Sequence, residues 1–334
     1  MTSPPLPSVT FVVPVRNDAA RLRRCLTSIN DNQSGGRVEI VVADNCSTDE
    51  SAAVARFAGA TVLVMPGRVS ELRNAAAAVA TTDILAFVDA DHVIDPSWTK
   101  VAVEVLREDS VGATGAPYET PPDVNWVQRA YNRFRSHRGG VHDVEWLGSG
   151  NLAIRRNAFQ AIGGFDTSLE TCEDVDLCNR LRLAGHRIVS DARLRSVHYG
   201  DPETLSALFF SELWRGRDNI RATLRGPLSP RAIPSLAIPV IDLLCLATVL
   251  IGALALVVAP TARWPVTWLV VVAAAGFMSF SLLRTARMTM GGGRVTPGEI
   301  VSNFAVACVY DLARALALVF RVTHQTRRGV ARAA

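Results

Sequence analysis

Residues 83 to 92, Asp-Ile-Leu-Ala-Phe-Val-Asp-Ala-Asp-His, constrain the fold more than any other stretch. Ile84 to Val88 is a short apolar run with β-branched and aromatic members, the pattern of a strand buried on both faces. It ends in two carboxylates one residue apart, Asp89 and Asp91, followed by His92. Such a pair is costly unless something positive sits against it. At the C-terminal end of a buried parallel strand, where open α/β sheets bind ligands, a divalent cation carrying a phosphorylated ligand meets that need. The plainer alternative is a solvated acidic turn.

The flanking sequence supplies the rest of such a sheet. Val9–Val13 predicts a strand stopped by Pro14, followed by Arg16-Asn17-Asp18. Leu22, Cys25, Leu26 and Ile29 recur at helical spacing over Ala19 to Ile29. Val38–Ala43 predicts a second strand ending at Asp44, with Ser47 or Thr48 capping a helix over Asp49–Ala58. A strand over Thr61–Met65, a helix over Ser70–Ala80 bearing Arg73 and Asn74, and the Ile84–Val88 strand complete the alternation. Strands alternating with helices predict an α/β fold with a mostly parallel, doubly wound sheet. No glycine follows the first strand, which speaks against a dinucleotide-binding G-x-G-x-x-G turn.

Downstream, a helix near Pro96–Arg107, a strand near Val111–Ala116 and an Arg- and aromatic-bearing helix over Trp126 to Arg138 are expected. Gly148-Ser149-Gly150-Asn151 leads into an apolar run; its glycines suit either close ligand approach or an ordinary turn. Thr171 with Asp174 three residues later reads as a capping box opening a helix to about Ala184, stopped by Gly185. Glu173 and Asp174 then lie in its first turn, where the macrodipole favours the ionised carboxylates. A strand near Val197 brings His198, and a long helix near Glu203–Leu224 carries Trp214, Arg215 and Arg217.

Beyond Pro230 the expected solvent changes. Leu236–Ala259 and Trp264–Leu283 each have about the ~20 residues needed to cross a bilayer, joined by a tight Pro260–Arg263 turn. Asp242, near the start of the first, is expected to reach the interface. Ile300–Phe320 is interrupted by Asn303, Asp311 and Arg314, and a third crossing would export Arg321, Arg327, Arg328 and Arg332 against the positive-inside rule. Two spans plus an interfacial or packed helix are preferred to three. The domains expected are 1–229 and a membrane-associated region over 230–334.

The formal charge of +4 over 334 residues, with no basic tract interleaved with aromatics, gives no reason to expect nucleic acid as a partner. The six cysteines form neither a disulfide framework nor a C-x-x-C motif, and Cys172, Cys178 and His186 fit no common zinc spacing. Met1 to Ser8 lacks the basic and apolar segments of a signal peptide, so the N-terminal part is expected on the cytoplasmic side of a cell membrane.

Residues 8 to about 222 resemble the family 2 glycosyltransferases of GT-A fold. The resemblance rests on an ordered set: Val12 to Asn17, Val41 to Asp49, Leu72 to Ala75, Phe87 to Asp91, Gly148 to Asn151, Gly163-Gly164-Phe165 and Glu173 to Leu177. It implies that Pro14, Val15, Arg16, Asn17 and Asp44 hold the nucleotide base and ribose of a UDP- or GDP-sugar donor. It implies that Arg73 flanks the base or diphosphate, that Asp89 and Asp91 contact ribose and Mn²⁺ or Mg²⁺, and that His198 joins the metal. Asp174 would be the general base of a single inverting displacement, with Gly150, Asn151, Glu173 and Arg217 as possible acceptor or diphosphate contacts. Asn17-Asp18 stands where Asn-Glu is frequent in the family, which touches only helix capping. The Gln-x-x-Arg-Trp motif of processive synthases is absent; Leu213 to Arg217 occupies roughly that place, so single-sugar transfer to a membrane-linked acceptor is expected. The alternative from another class is a catalytically silent sugar-nucleotide-binding subunit, and a nucleotidyltransferase is weakened by the missing Gly-rich phosphate loop.

Overall fold

The computed structural model describes residues 8–32, 36–135, 139–227, 229–230, 232–258, 263–290 and 295–322. The chain forms two compact units. One comprises Met1–Pro122, His137–Gly200 and Leu224–Pro227, the other Asp123–Ser136, Asp201–Thr223 and Leu228–Ala334.

The first unit is built on strands β1 (Val9–Val15), β2 (Val38–Asp44), β3 (Thr61–Val64), β4 (Ile84–Val88), β5 (His92–Ile94), β6 (Val111–Gly115), β7 (Val141–Asp143), β8 (Asn151–Arg155), β9 (Arg187–Asp191) and β10 (Ser196–His198). Eight of them form one sheet in the order β3-β2-β1-β4-β8-β6-β9-β7. The first four are mutually parallel; β8 runs antiparallel between β4 and β6. β5 and β10 form a small antiparallel pair. Helices α1 (Ala19–Asn30), α2 (Ser51–Phe57), α3 (Val69–Val79), α4 (Trp98–Val105), α6 (Arg156–Ala161) and α7 (Glu173–Leu183) complete the unit, whereas α5 (Trp126–Arg135) belongs to the other.

Alternation along the strands creates two cores, one on each sheet face. Phe11 and Val13 pack with Leu22, Leu26, Ala86 and Trp98. Val12 packs with Leu85, Phe87, Leu152 and Phe165. The predicted helical stripe of α1 is the buried one.

Local details depart from expectation. Pro14 does not stop β1, which runs on to Val15 with Pro14 opposite Ala43. Pairing with β4 has ended at Val12, so the strand has edge character where the missing N–H falls. Ser47 and Thr48 do not cap α2; the Asn17 N–H donates to Ser47 Oγ (2.9 Å), and Asn17 Oδ1 accepts from the Thr48 N–H (2.7 Å). Their side chains thus clasp the turn after β1 to the turn after β2. The capping box at Thr171 is also absent: the N-cap of α7 is Cys172, in the left-handed region at φ 59°.

In the second unit, α8 (Leu205–Arg215) and α9 (Asn219–Leu224) replace the one long helix expected. Gly216 caps α8, and a side chain there would collide with Ala317. Helices α10 (Ile233–Val258) and α11 (Arg263–Met290) are long and apolar enough to cross a membrane. Their apolar side chains are largely exposed, as with Val257 (80%) and Trp264 (79%). A helix exposed and apolar in this way needs lipid or another apolar covering. The connecting turn at 260–262 lies outside the described residues.

Helix α12 (Pro297–Leu316) is different: it buries Asn303, Val306, Ala307 and Asp311, and it packs on α5 and α8 as well as on α10 and α11. Asp311 accepts from Ser281 Oγ (2.9 Å) and Arg284 Nε (2.6 Å), so its charge is paired with protein rather than set against lipid. Asp242 does not reach an interface. It is fully buried, lining a small cavity with Arg284, Tyr310, Asp311 and Arg314.

Candidate active site

The site is assembled where strands of the first unit end. Asp89 follows β4 directly, and its Oδ1 accepts from Arg73 Nη2 at 2.6 Å; Arg73 Nη1 donates to Glu173 Oε1 at 2.8 Å. Arg73 is 2% exposed. Its guanidinium fork therefore joins α3, the end of β4 and the start of α7, and the charges of Asp89 and Glu173 outweigh burial to hold its pKa up. In this structure its guanidinium orders two acids.

Asp91, His92 and His198 bring one carboxylate oxygen and two ring nitrogens within 4.8 Å of one another. His92 and His198 face each other because β5 and β10 pair in antiparallel register at those residues. His92 Nδ1 lies 2.8 Å from Ser196 Oγ, which turns Nε2 toward the cluster, as in metal sites where the second ring nitrogen is held by an outer partner. Asp91 Oδ2 is 3.4 Å from His198 Nε2 and 4.0 Å from Arg21 Nη1. Burial disfavours the ionised Asp91, but His198, His92 and Arg21 overcome it and hold the carboxyl well below the usual range.

Two glycines leave room beside these ligand atoms. A side chain at Gly200 would run into Asp91 Oδ2 and His198 Nε2, and one at Gly150 would lie 2.8 Å from Asp89 Oδ2 and 3.0 Å from His92 Nε2. A mixed oxygen and imidazole donor set with open space beside it suits a divalent ion such as Mn²⁺. His92 and Gly200 were not anticipated as site residues; the adjacency of His92 to Asp91 and the position of Gly200 two residues after His198 are the sequence signals for them.

Asp174 opens α7 next to Glu173. Contrary to expectation, its carboxyl is pushed up to about 7. Burial is the main cause and the Glu173 charge the second; the Val175 N–H, which donates to Asp174 Oδ1 at 2.8 Å, and Arg73 oppose them without prevailing. A carboxyl poised near neutral pH suits a general base. A Cβ built on Gly148 would sit 3.8 Å from both Asp174 Oδ2 and Tyr118 Cε1. The Tyr118 ring in turn lies 5.1 Å from that of His92 and 4.8 Å from that of His198, centroid to centroid. The carboxylates, imidazoles and phenol thus form one continuous constellation.

Other expected contacts have different surroundings. Asp44 is 1% exposed, with Oδ1 accepting from the Ser47 N–H at 2.9 Å. Pro14 and Val15 lie within β1, and Arg16 is exposed. Asn17 takes the left-handed conformation (φ 52°) and is held by Ser47 and Thr48. Asn151 is fully buried: Nδ2 donates to the Ala116 and Leu194 carbonyls and Oδ1 accepts from Trp98 Nε1. Its amide ties the sheet to its neighbours rather than facing a ligand. Arg217 belongs to the second unit, between α8 and α9.

Comparison with known proteins agrees with this architecture. Residues 10–163 match the family model described as Glycosyl transferase family 2. The chain is 32% identical over 197 residues to a pre-mycofactocin glycosyltransferase of Mycobacterium tuberculosis, an alignment covering 54% of this chain and 40% of that protein. It is 23% identical over 244 residues to the glycosyltransferase AglE of Haloferax volcanii, covering 70% and 80%. Among solved structures, the mannosyltransferase PcManGT of Pyrobaculum calidifontis, in complex with GDP-Man and Mn²⁺, superposes with a TM-score of 0.60 at 17% identity, over 94% of this chain and 87% of that one. That likeness establishes the fold.

Proposed function

Since residues 10–163 match the Glycosyl transferase family 2 model and the fold is that of a solved mannosyltransferase, we propose that the chain is a family 2 glycosyltransferase that transfers one sugar, with inversion, from a UDP- or GDP-sugar to a hydroxyl or phosphate acceptor held at a membrane. The observation that carries the reading is the approach of Asp91, His92 and His198 to one point, with Asp174 across Gly148 and Tyr118. Asp91, His92 and His198 would hold Mn²⁺ or Mg²⁺, which when bound offsets the charge of the departing diphosphate as a Lewis acid. Asp89, fixed by Arg73, presents its second oxygen to the donor, and the clasped turns carrying Asn17 and Asp44 shape the nucleotide end. Asp174 accepts the acceptor proton, and Glu173 beside it keeps that carboxyl basic enough to do so. The helices α10 and α11 support a membrane anchor, and in this reading the catalytic domain lies on the cytoplasmic face. The region 230–334 would serve mainly as that anchor, and the residues before it as the catalytic domain.

The test is a panel of nucleotide sugars added with Mn²⁺ or Mg²⁺ to the purified full chain. A matched donor raises the melting temperature by mass action and is consumed with release of nucleoside diphosphate. A panel in which no UDP- or GDP-sugar is bound with either metal would reject the proposal.

A further inference from the structure

We infer that the gap above Gly148, walled by the Asp174 carboxylate and the Tyr118 ring, is the slot through which the acceptor hydroxyl reaches the base, and that Gly148 and Tyr118 set which acceptors enter. The inference rests on the glycosyltransferase reading above and adds residues to it.

Three observations converge. Gly148 is only partly buried, and its absent side chain would have stood in ordinary contact, 3.8 Å, with both Asp174 Oδ2 and Tyr118 Cε1. The space therefore adjoins the basic oxygen and a carbon of the Tyr118 ring. Tyr118 is held in place by its chain neighbour. The Glu119 N–H donates to the Ser196 carbonyl (2.7 Å), the His198 N–H donates to the Glu119 carbonyl (2.8 Å), and both Glu119 oxygens accept from Arg195 (2.9 Å each). The phenol ring thus stands between the imidazoles of His92 and His198 on one side and the Gly148 gap on the other. Two residues before Gly148, the Trp146 indole is 49% exposed. Aromatic rings near a polar gap suit a pyranose ring, which has apolar C–H faces and hydroxyl edges.

The chemistry follows from the position. An acceptor O–H entering the slot gives its proton to Asp174 Oδ2 while the oxygen lone pair forms the bond to the anomeric carbon. The anomeric C–O bond to the diphosphate breaks in the same step, and its electron pair leaves with the diphosphate. Water is small enough to use the same slot, with donor hydrolysis as the result.

Gly148→Ala provides the test. The new methyl would meet its neighbours at ordinary contact distance, so the fold is retained while the slot is narrowed against a sugar hydroxyl more than against water. With octyl glucoside and octyl mannoside as acceptor probes and radiolabelled nucleotide sugar as donor, transfer should fall at least tenfold (~10², in the range lost when reacting groups are misplaced), chiefly through acceptor KM. Mn²⁺-dependent binding of UDP or GDP should stay within about twofold, and hydrolysis by water should persist. Tyr118→Ala should widen the slot and raise the ratio of hydrolysis to transfer. Normal transfer in Gly148→Ala, or weakened Mn²⁺-nucleotide binding in either variant without a change in that ratio, would overturn the inference. So would wild-type hydrolysis that the octyl glycosides neither divert nor inhibit. A wild-type chain that binds no nucleotide with Mn²⁺ would defeat the underlying glycosyltransferase reading, and this inference with it.

Discussion

Arg73 Nη2 donates to Asp89 Oδ1 at 2.6 Å from a guanidinium almost wholly withdrawn from solvent. With its other fork on Glu173, it sets one positive charge between two acids that would otherwise repel each other. Arg73→Met should destabilise the chain by about 2–4 kcal/mol, at the lower side of the cost of breaking a buried pair because Asp89 is partly solvated. Arg73→Lys should recover only part of this, since an ammonium cannot reach both carboxylates as a planar fork does. Denaturant melts of the three proteins decide it; an Arg73→Met variant as stable as wild type would show that the fork is not structural.

Asp91→Asn should sharply weaken Mn²⁺-dependent binding of nucleoside diphosphate while leaving the melting temperature without metal nearly unchanged. His92→Ala should do likewise, although β5 is a strand of only three residues. Calorimetric titration with Mn²⁺ in the presence of UDP or GDP measures both. Undiminished metal-dependent binding in Asp91→Asn would reject the ligand assignment.

Asp174→Asn should bind donor almost normally yet lose transfer by on the order of 10²–10⁴-fold, the usual worth of general-base catalysis. Because the Asp174 carboxyl is pushed up to about 7, wild-type kcat should rise with pH through that value and then level off. If Asp174→Asn turns over normally while Glu173→Gln is dead, the base is Glu173.

The same raised carboxyl has a stability consequence of defined sign. Its folded pKa lies above the ordinary 3.8, so between about pH 4 and pH 7 the unfolded chain has released the proton that the folded chain still holds. Stability from this group is complete below pH 4 and lost as pH rises through about 7. Asp174→Asn should therefore match wild type in melting temperature near pH 4 and exceed it near pH 8. A constant difference across that range would contradict the assignment.

Cysteine labelling in intact cells tests the membrane reading. Positions next to Val258 and Arg263, which flank the turn between α10 and α11, should be accessible from outside; those at Met290 and Thr296 should be protected. The tail around Arg327–Arg328, outside the described residues, should also be protected under two spans, and its external labelling would establish three.

Periodicity alone specified much of this protein. Short continuous apolar runs, stripes of period 3.6 and long apolar segments are local signals, so β1 to β4, α1 and the two apolar helices α10 and α11 were legible in the sequence. The positions of Asp89, Asp91 and Glu173-Asp174 at element ends followed from the same pattern. Tertiary structure decided what those ends meet. His92 and Ser196 are 104 residues apart in sequence, and only the pairing of two three-residue strands sets the second imidazole beside Asp91; the strand near Val197 was legible, but β5 carries too little pattern to be recognised. Asn151 looked available, but the Trp98 indole and two carbonyls from distant loops use its amide completely. The pKa of Asp174 shows the reason most directly. The helix start that sequence reveals favours the charged form, while the burial that prevails comes from residues folded around it, with the charge of its neighbour Glu173 added.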